Sequence, residues 1–243
     1  MLQKTSAVVL HALKYGDSQL VVDAFTESDG RVSLLVRLPR SRTATLRPAL
    51  FMPLSLLEVE ADFRPIAELV RLKQARTERA FTSLPYDPRK SAMALYVAEF
   101  LYRALRQEGS DSRLFGFVRN SVLWLDAAQG SCANFHIVFL LRLARYLGFS
   151  PDMRGYRPGH CFDLLNACFT PSRPVDHSYH VGPADAALLP ALMRLNYANM
   201  HRFAMTRTDR ERLLTLIEQY YRLHLSEFPP LRSPEVLRQV FGE

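Results

Sequence analysis

SAVVLHALKYGDSQLVVDAFTESDGRVSLLVRLPRSRTATLRP, residues 6–48, decides how the rest of the chain is read. Residues 5–13 (TSAVVLHAL) and 20–26 (LVVDAFT) are rich in Val, Leu and Phe and short enough to be strands. Asp29-Gly30 supplies a tight turn, since both residues tolerate positive φ. Arg31–Leu38 follows as a third strand, and Pro39 ends it because proline donates no ladder hydrogen bond. From Arg31 to Leu57 the chain carries Arg31, Arg37, Arg40, Arg42 and Arg47 and no acidic residue. Such an unneutralised run suits an anionic polymer, although from charge alone a solvated surface accounts for it equally well. MPLSLLEVE (52–60) and IAELVRLK (66–73) bring the strands to about five, a number that closes a small barrel.

Near Pro85 the pattern changes from strand to helix. Asp87-Pro88 is an N-cap and first-turn pair, and Leu95, Ala98, Leu101, Tyr102 and Leu105 fall on one helical face. Asp111 caps a second helix carrying Leu114, Phe115, Val118, Val122 and Leu125. A third runs from about Ala133 to Leu147, ended by Gly148 with Phe149 folding back on it. Residues 151–182 read as an irregular excursion. Helical pattern resumes after Pro183 and is broken or bent at Pro190. Thr208 and Glu211 have capping-box spacing before LLTLIEQYYRLHL, and Ser233-Pro234 starts a last short helix. The expected fold is α+β: an N-terminal five-stranded barrel of the oligonucleotide/oligosaccharide-binding (OB) type over residues 1–80, then an all-α domain over 81–243 with its irregular insertion near 151–182.

This order of elements resembles the RecO family of bacterial recombination mediators. The resemblance rests on VVLHALKYGDSQLVVDAFTESDGRVSLLV, with its Tyr15–Ser18, Phe25–Glu27 and Gly30-Arg31 segments, and on Arg40-Ser41-Arg42 in the basic loop. LARYLGFSPDM (143–153) and PLRSPEVL (230–237) extend it to the C-terminal half. The chain departs from the family pattern at Leu38-Pro39, where a small Gly-Ala pair usually precedes the Arg-Ser. The resemblance implies an OB barrel and a helical domain, binding of single- and double-stranded DNA, and strand annealing. It also implies work with RecR to load RecA onto strands coated with single-strand-binding protein (SSB).

The residues themselves support a polyphosphate ligand. The net charge is +7. Lys14, Arg31, Arg37, Arg40, Arg42 and Arg47 are the candidate DNA-binding cations, placed on strands one and three and the loop that follows. Tyr15, Phe51 and Phe63 are the available stacking aromatics. In the helix FHIVFLLRLARYLGF, Phe139, Leu143 and Tyr146 with Arg142 and Arg145 offer an apolar patch beside cations, the chemistry a receptor for the acidic, apolar SSB tail needs. Phe and Leu at that spacing equally build a core. Arg202, Arg207, Arg210 and Arg212 form a second basic cluster.

No metal and no cofactor is expected. Many RecO-like chains carry a four-cysteine zinc finger after the Leu-Gly-Phe turn. Here Cys161 and Cys168 have six residues between them and no second cysteine pair exists, so packing of Phe162, Leu164, Leu165 and Phe169 is the expected replacement. Cys132 and His136 are expected to pack or cap. No glycine-rich phosphate loop, nucleophile elbow or His-Glu-x-x-His run is present, so no catalytic residue is assigned. Glu108, Asp111 and Asp126 read as helix-end and surface charges. The absence of a signal-like N-terminus and of a long apolar run, with three irregularly spaced cysteines, points to the cytoplasm. The rival readings are an OB-fold RNA-binding protein, a scaffold, and a thiol- or metal-dependent hydrolase using His160, Cys161 and Cys168.

Overall fold

The computed structural model describes residues 2–38, 46–63, 69–106 and 108–240. Five strands, β1 (Leu2–Tyr15), β2 (Gln19–Thr26), β3 (Gly30–Arg37), β4 (Leu56–Asp62) and β5 (Val70–Thr77), close into a barrel in the order β1-β2-β3-β5-β4. Antiparallel pairing joins all neighbours except β3 and β5. These close the barrel in parallel through Leu34↔Val70 and Leu35↔Arg71. The expected fourth strand begins later, at Leu56, because Pro48–Phe51 form a 3₁₀ turn and Leu54 takes a φ of 62°. The fifth runs later than the expected 66–73, and residues 66–68 lie outside the described ones.

Inward side chains, among them Ala7, Val9, Val22, Leu34, Val36, Val59 and Leu72, fill the barrel. Strand β1 is apolar on both faces over Val8, Val9 and Leu10 because its outer side is also covered. Helices α1 (Pro88–Ala104) and α2 (Ser112–Ala127) follow, capped by Asp87 and Asp111 as the sequence predicts. Phe25 on β2 meets Phe115 of α2 with ring centres 5.9 Å apart. Gly30 has φ +69°, and a Cβ there would come within 2.7 Å of the Glu108 carbonyl oxygen, the same oxygen that accepts from the Arg31 N–H. Gly30→Ala combines left-handed strain with this overlap. We expect it to destabilise the protein by about 3 kcal/mol, read as a lower urea midpoint.

Asp126 is buried, not a surface charge. Its carboxylate accepts from the backbone N–H groups of Thr82, Ser83 and Leu84 at 2.8–3.1 Å, and Lys90, 4% exposed, donates to Ser83 Oγ, the Asp126 carbonyl and the Ala128 carbonyl. Near the C-terminus, α7 (Pro234–Val240) packs on α1, and the Glu99 carboxylate accepts from the Arg232 and Ser233 N–H groups at its start. The chain accordingly divides into two compact units, Met1–Ala128 with Pro230–Glu243, and Gln129–Pro229.

The second unit contains α3 (Phe135–Tyr146), a sheet of β6 (Cys161–Asp163), β7 (Cys168–Thr170) and β8 (His180–Val181), and helices α4 (Pro183–Ala186), α5 (Leu189–Met193) and α6 (Arg207–His224). Gly148, φ +85°, ends α3, and Phe149 N–H returns to the Ala144 carbonyl at 3.0 Å. Residues 151–182 are less irregular than their composition suggests. Asp163 bends the chain by accepting from the Leu165 and Asn166 N–H groups, which makes the β6–β7 hairpin. The helical pattern after Pro183 is interrupted as expected: α4 ends at Ala186, a turn follows, and α5 restarts with Pro190 in its first turn. The capping box is two residues earlier than the spacing implied: Thr206 is the N-cap and Asp209 its reciprocal partner.

Candidate nucleic-acid interface

Strand register orders the outer face of the barrel into rows, since residues paired across strands point to the same side. One row is Val8–Phe25–Arg31, lying beneath the helices. Here the Arg31 guanidinium donates to the Tyr102 carbonyl at 3.0 Å and to Asp23 at 3.3 Å, and stacks 4.4 Å over the Tyr102 ring. With its side chain 14% exposed, Arg31 is a structural residue and is withdrawn from the DNA-binding set. The next row is His11–Asp23–Ser33. Burial alone would raise the Asp23 carboxyl; hydrogen bonds from His11, Ser33 and Arg31 outweigh it and hold its pKa below the usual carboxylate value.

Two further rows stand clear of the helices. Leu13–Val21–Leu35–Arg71 runs across four strands, and Tyr15–Gln19–Arg37 across three. Leu13 and Tyr15 are 59% and 58% exposed. Arg37 and Arg71 are exposed at the β3/β5 side, and Lys14 is exposed near the end of β1; none has an ionic partner among the described residues. Lys73 on β5 is exposed in the same way. Two of the three carboxylates of β4 form ion pairs on the barrel, Glu60 with Lys4 and Glu58 with Arg76, and Asp62 also has an interaction partner. The outer face is therefore polarised: a neutralised β4 side, and an aliphatic-aromatic strip bordered by uncompensated cations. Cations for phosphates beside a flat apolar surface for bases is the arrangement by which barrels of this type hold single strands.

Of the sequence-predicted cations, Arg47 is exposed at the start of the 3₁₀ turn, and Arg40 and Arg42 lie outside the described residues. Among the aromatics only Tyr15 is available. Phe51 is 2% exposed inside the barrel, and Phe63 packs against that core. Arg71 was missed because its position beside Leu35 depends on a non-local parallel pairing; the alternation of VRLK was the only local sign.

In the second unit the predicted receptor residues separate. Phe139 and Leu143 are completely buried, the former stacked on Phe135, so they cannot form an open patch. Arg142, Arg145 and Tyr146 lie on the exposed face, with Arg142 donating to the Leu195 carbonyl at 3.2 Å. An apolar cleft of about 300 Å³ lies elsewhere in this unit, between Leu141, Phe162, Leu192, Phe203 and Ile217. Its charged groups are committed: Asp185 to Arg212, Asp209 to Thr206. Arg210 donates to the Met205 carbonyl, and Arg207 pairs with Glu211.

Cys161 is buried on β6 and the His160 ring bonds the Gly155 carbonyl, so the two do not pair. Burial, helped by Asp163 and Asp152, raises the pKa of the Cys168 thiol. Phe162 and Phe169 meet edge to face at 5.1 Å, and Leu165, expected in this packing, is 41% exposed. His136 packs in the core of the unit, where burial and the Arg210 charge bring its pKa down to about 3.

A closed barrel of OB topology with a polarised outer face, followed by a helical region, defines an OB-barrel protein with an α-helical C-terminal part. Residues 1–81 match the family described as Recombination protein O N terminal, and residues 85–235 match Recombination protein O C terminal. A DNA repair protein RecO from Bacteroides fragilis is 52% identical over 241 residues, 99% of this chain and 100% of that protein. Its counterpart in Phocaeicola vulgatus is 48% identical over 242 residues, covering 100% of both chains, and that of Christiangramia forsetii is 34% identical over 243 residues, again covering 100% of both. The chain belongs to the RecO family.

Proposed function

We propose that this protein is a DNA repair and recombination mediator. It holds single- and double-stranded DNA through residues 1–80, anneals complementary strands, and acts with RecR to load RecA onto SSB-coated DNA, with residues 81–243 serving protein partners. The observation that carries the reading is the uncompensated pair Arg37 and Arg71 on the rows of the exposed Leu13 and Tyr15, with Lys14 exposed near the end of β1, in a chain whose relatives are named DNA repair proteins. Arg40, Arg42 and Arg47, which follow Arg37 in the sequence, are proposed as further phosphate contacts. The SSB tail is assigned to the exposed edge of α3 at Arg142, Arg145 and Tyr146, where guanidinium groups meet a tail carboxylate. The action is one of binding, without bond-making chemistry, and needs no cofactor. It takes place in the cytoplasm, and no described helix is long and apolar enough to cross a membrane.

The test is annealing of complementary oligonucleotides by the purified full chain across a salt series. Faster annealing that fades as salt rises is expected, because counterion release drives phosphate contact. Equal acceleration by an RNA pair, with RNA competing as strongly as DNA, would favour the RNA-binding alternative. No acceleration at low ionic strength would leave only a scaffold.

A further inference from the structure

A second cleft, of about 360 Å³, lies in the first unit, walled on one side by Leu50 and Met52 and on the other by Phe81, Tyr86 and Leu95. Its size is at the lower end of the roughly 300–1,000 Å³ typical of small-ligand sites. Three of its apolar walls are left open to solvent: Tyr86 is 78% exposed, Met52 57% and Leu95 41%. Leu95 belongs by spacing to the buried face of α1, yet it is at this rim. The only ionisable group with a formal charge in the lining is Arg79, which is exposed and has no partner among the described residues. Arg89, in the first turn of α1, is exposed likewise, and the lining contains no carboxylate.

We infer that this cleft is a nucleobase pocket: one base of a single strand stacks on Tyr86 between the thioether of Met52 and Leu95, and Arg79 holds the neighbouring phosphate. The inference rests on the DNA-binding reading and adds to it a site distinct from the barrel rows. Three features argue for a base and its phosphate over a peptide. The charge of the lining is purely cationic. The platform is rigid, because the Ser83 carbonyl accepts from both the Tyr86 and the Asp87 N–H at 2.9 Å, and Ser83 is itself held by Asp126. The wall is continuous with the arginine run, since the turn bearing Leu50 follows Arg47 directly. It is tied to β1 by Leu54 N–H to the Val9 carbonyl at 2.8 Å and Val9 N–H to the Ser55 carbonyl at 3.0 Å. A duplex keeps its bases stacked within itself, so the pocket serves single strands only.

The test uses the full chain carrying Tyr86→Ala, Tyr86→Phe or Arg79→Ala, titrated by fluorescence anisotropy against a labelled oligothymidylate and a labelled duplex of equal length. Tyr86→Ala is expected to weaken single-strand binding about five- to tenfold, the size of one lost stacking contact, and to leave the duplex unchanged. Tyr86→Phe restores the affinity. Arg79→Ala flattens the single-strand salt slope by about 0.7, one phosphate. Light-induced coupling from an iodouracil-substituted strand is expected at Tyr86 or Met52. Unchanged single-strand affinity in Tyr86→Ala, or equal losses on strand and duplex, overturns the pocket. If Lys14, Arg37 and Arg71 variants still weaken binding in that case, the DNA reading stands without it. If the wild-type chain ignores both oligonucleotides, the DNA reading itself fails. An acidic apolar peptide whose binding depends on Tyr86, with strand binding untouched, assigns the cleft to a protein partner and also overturns the proposal.

Discussion

Asp126→Ala is expected to cost about 3 kcal/mol at neutral pH, because it strands several donors at once, the buried Leu84 N–H among them and the others partly buried. The carboxylate receives the N–H groups of Thr82, Ser83 and Leu84 and the Thr82 hydroxyl, at 2.8–3.1 Å. With it gone, those donors face a cavity, and the nearby buried ammonium of Lys90 keeps only neutral acceptors. For a chain of this size the thermal midpoint should fall by roughly 10 °C. The effect has a pH signature. Burial alone would raise the Asp126 pKa, but the backbone donors outweigh it and hold it below the ordinary value. A folded-state pKa below the unfolded one means that the stabilisation is complete above about pH 4 and is lost as pH falls through the folded value. The gap in stability between wild type and Asp126→Ala should therefore narrow on acidification below about pH 4. A gap that stays constant to low pH, or none at neutrality, would show that the carboxylate contributes no charged interaction. Asp126→Asn keeps one acceptor oxygen and should fall between the two. Since Ser83 links this carboxylate to the Tyr86 backbone, the substitution is also expected to loosen the wall of the cleft beneath α1.

The parts of the fold legible in the sequence were those set by local rules. Asp87 and Asp111 cap their helices because a short carboxylate after an extended residue reaches the second and third N–H groups with no help from elsewhere. Gly148 and Gly30 sit at positive φ where the turn chemistry placed them. The errors arose where a distant partner decides. Arg31 looks like any exposed strand arginine until Asp23 and the Tyr102 ring close over it. Asp126 looks like a helix-end charge until a linker forty residues earlier turns its N–H groups toward it. Phe139 and Leu143 carry the spacing of an apolar stripe, and spacing alone does not say whether the stripe faces a partner or the core. For the candidate site the sequence supplied Lys14, Tyr15 and Arg37, all on the first hairpin and its neighbour. It withheld Arg71, because the closure of β3 on β5 skips β4 and no local signal encodes that order.

Replacing Lys14, Arg37 and Arg71 together by alanine is expected to reduce oligonucleotide affinity about 100-fold at low salt and to flatten the dependence of log K on log salt by about two to three for duplex DNA. The expectation follows from their setting. Each is exposed, none has an ionic partner among the described residues, and two of them end rows whose other members are Leu13, Val21, Leu35, Tyr15 and Gln19. An exposed cation with no partner keeps its full field for a phosphate. One already paired must first surrender its carboxylate, which is why Arg76→Ala, removing a cation matched by Glu58, is expected to change the slope little. The triple variant should fold normally, since all three side chains are exposed and charge removal at such sites costs within about 0.5 kcal/mol. The measurement is a pair of anisotropy titrations at several salt concentrations, with melting curves as the folding control. Loss of affinity with an unchanged salt slope would mean that the three residues act through shape and not through phosphate neutralisation. Unchanged affinity with an intact fold would move the DNA path off these rows and onto the arginines of the following loop, whose own triple replacement then becomes the deciding variant.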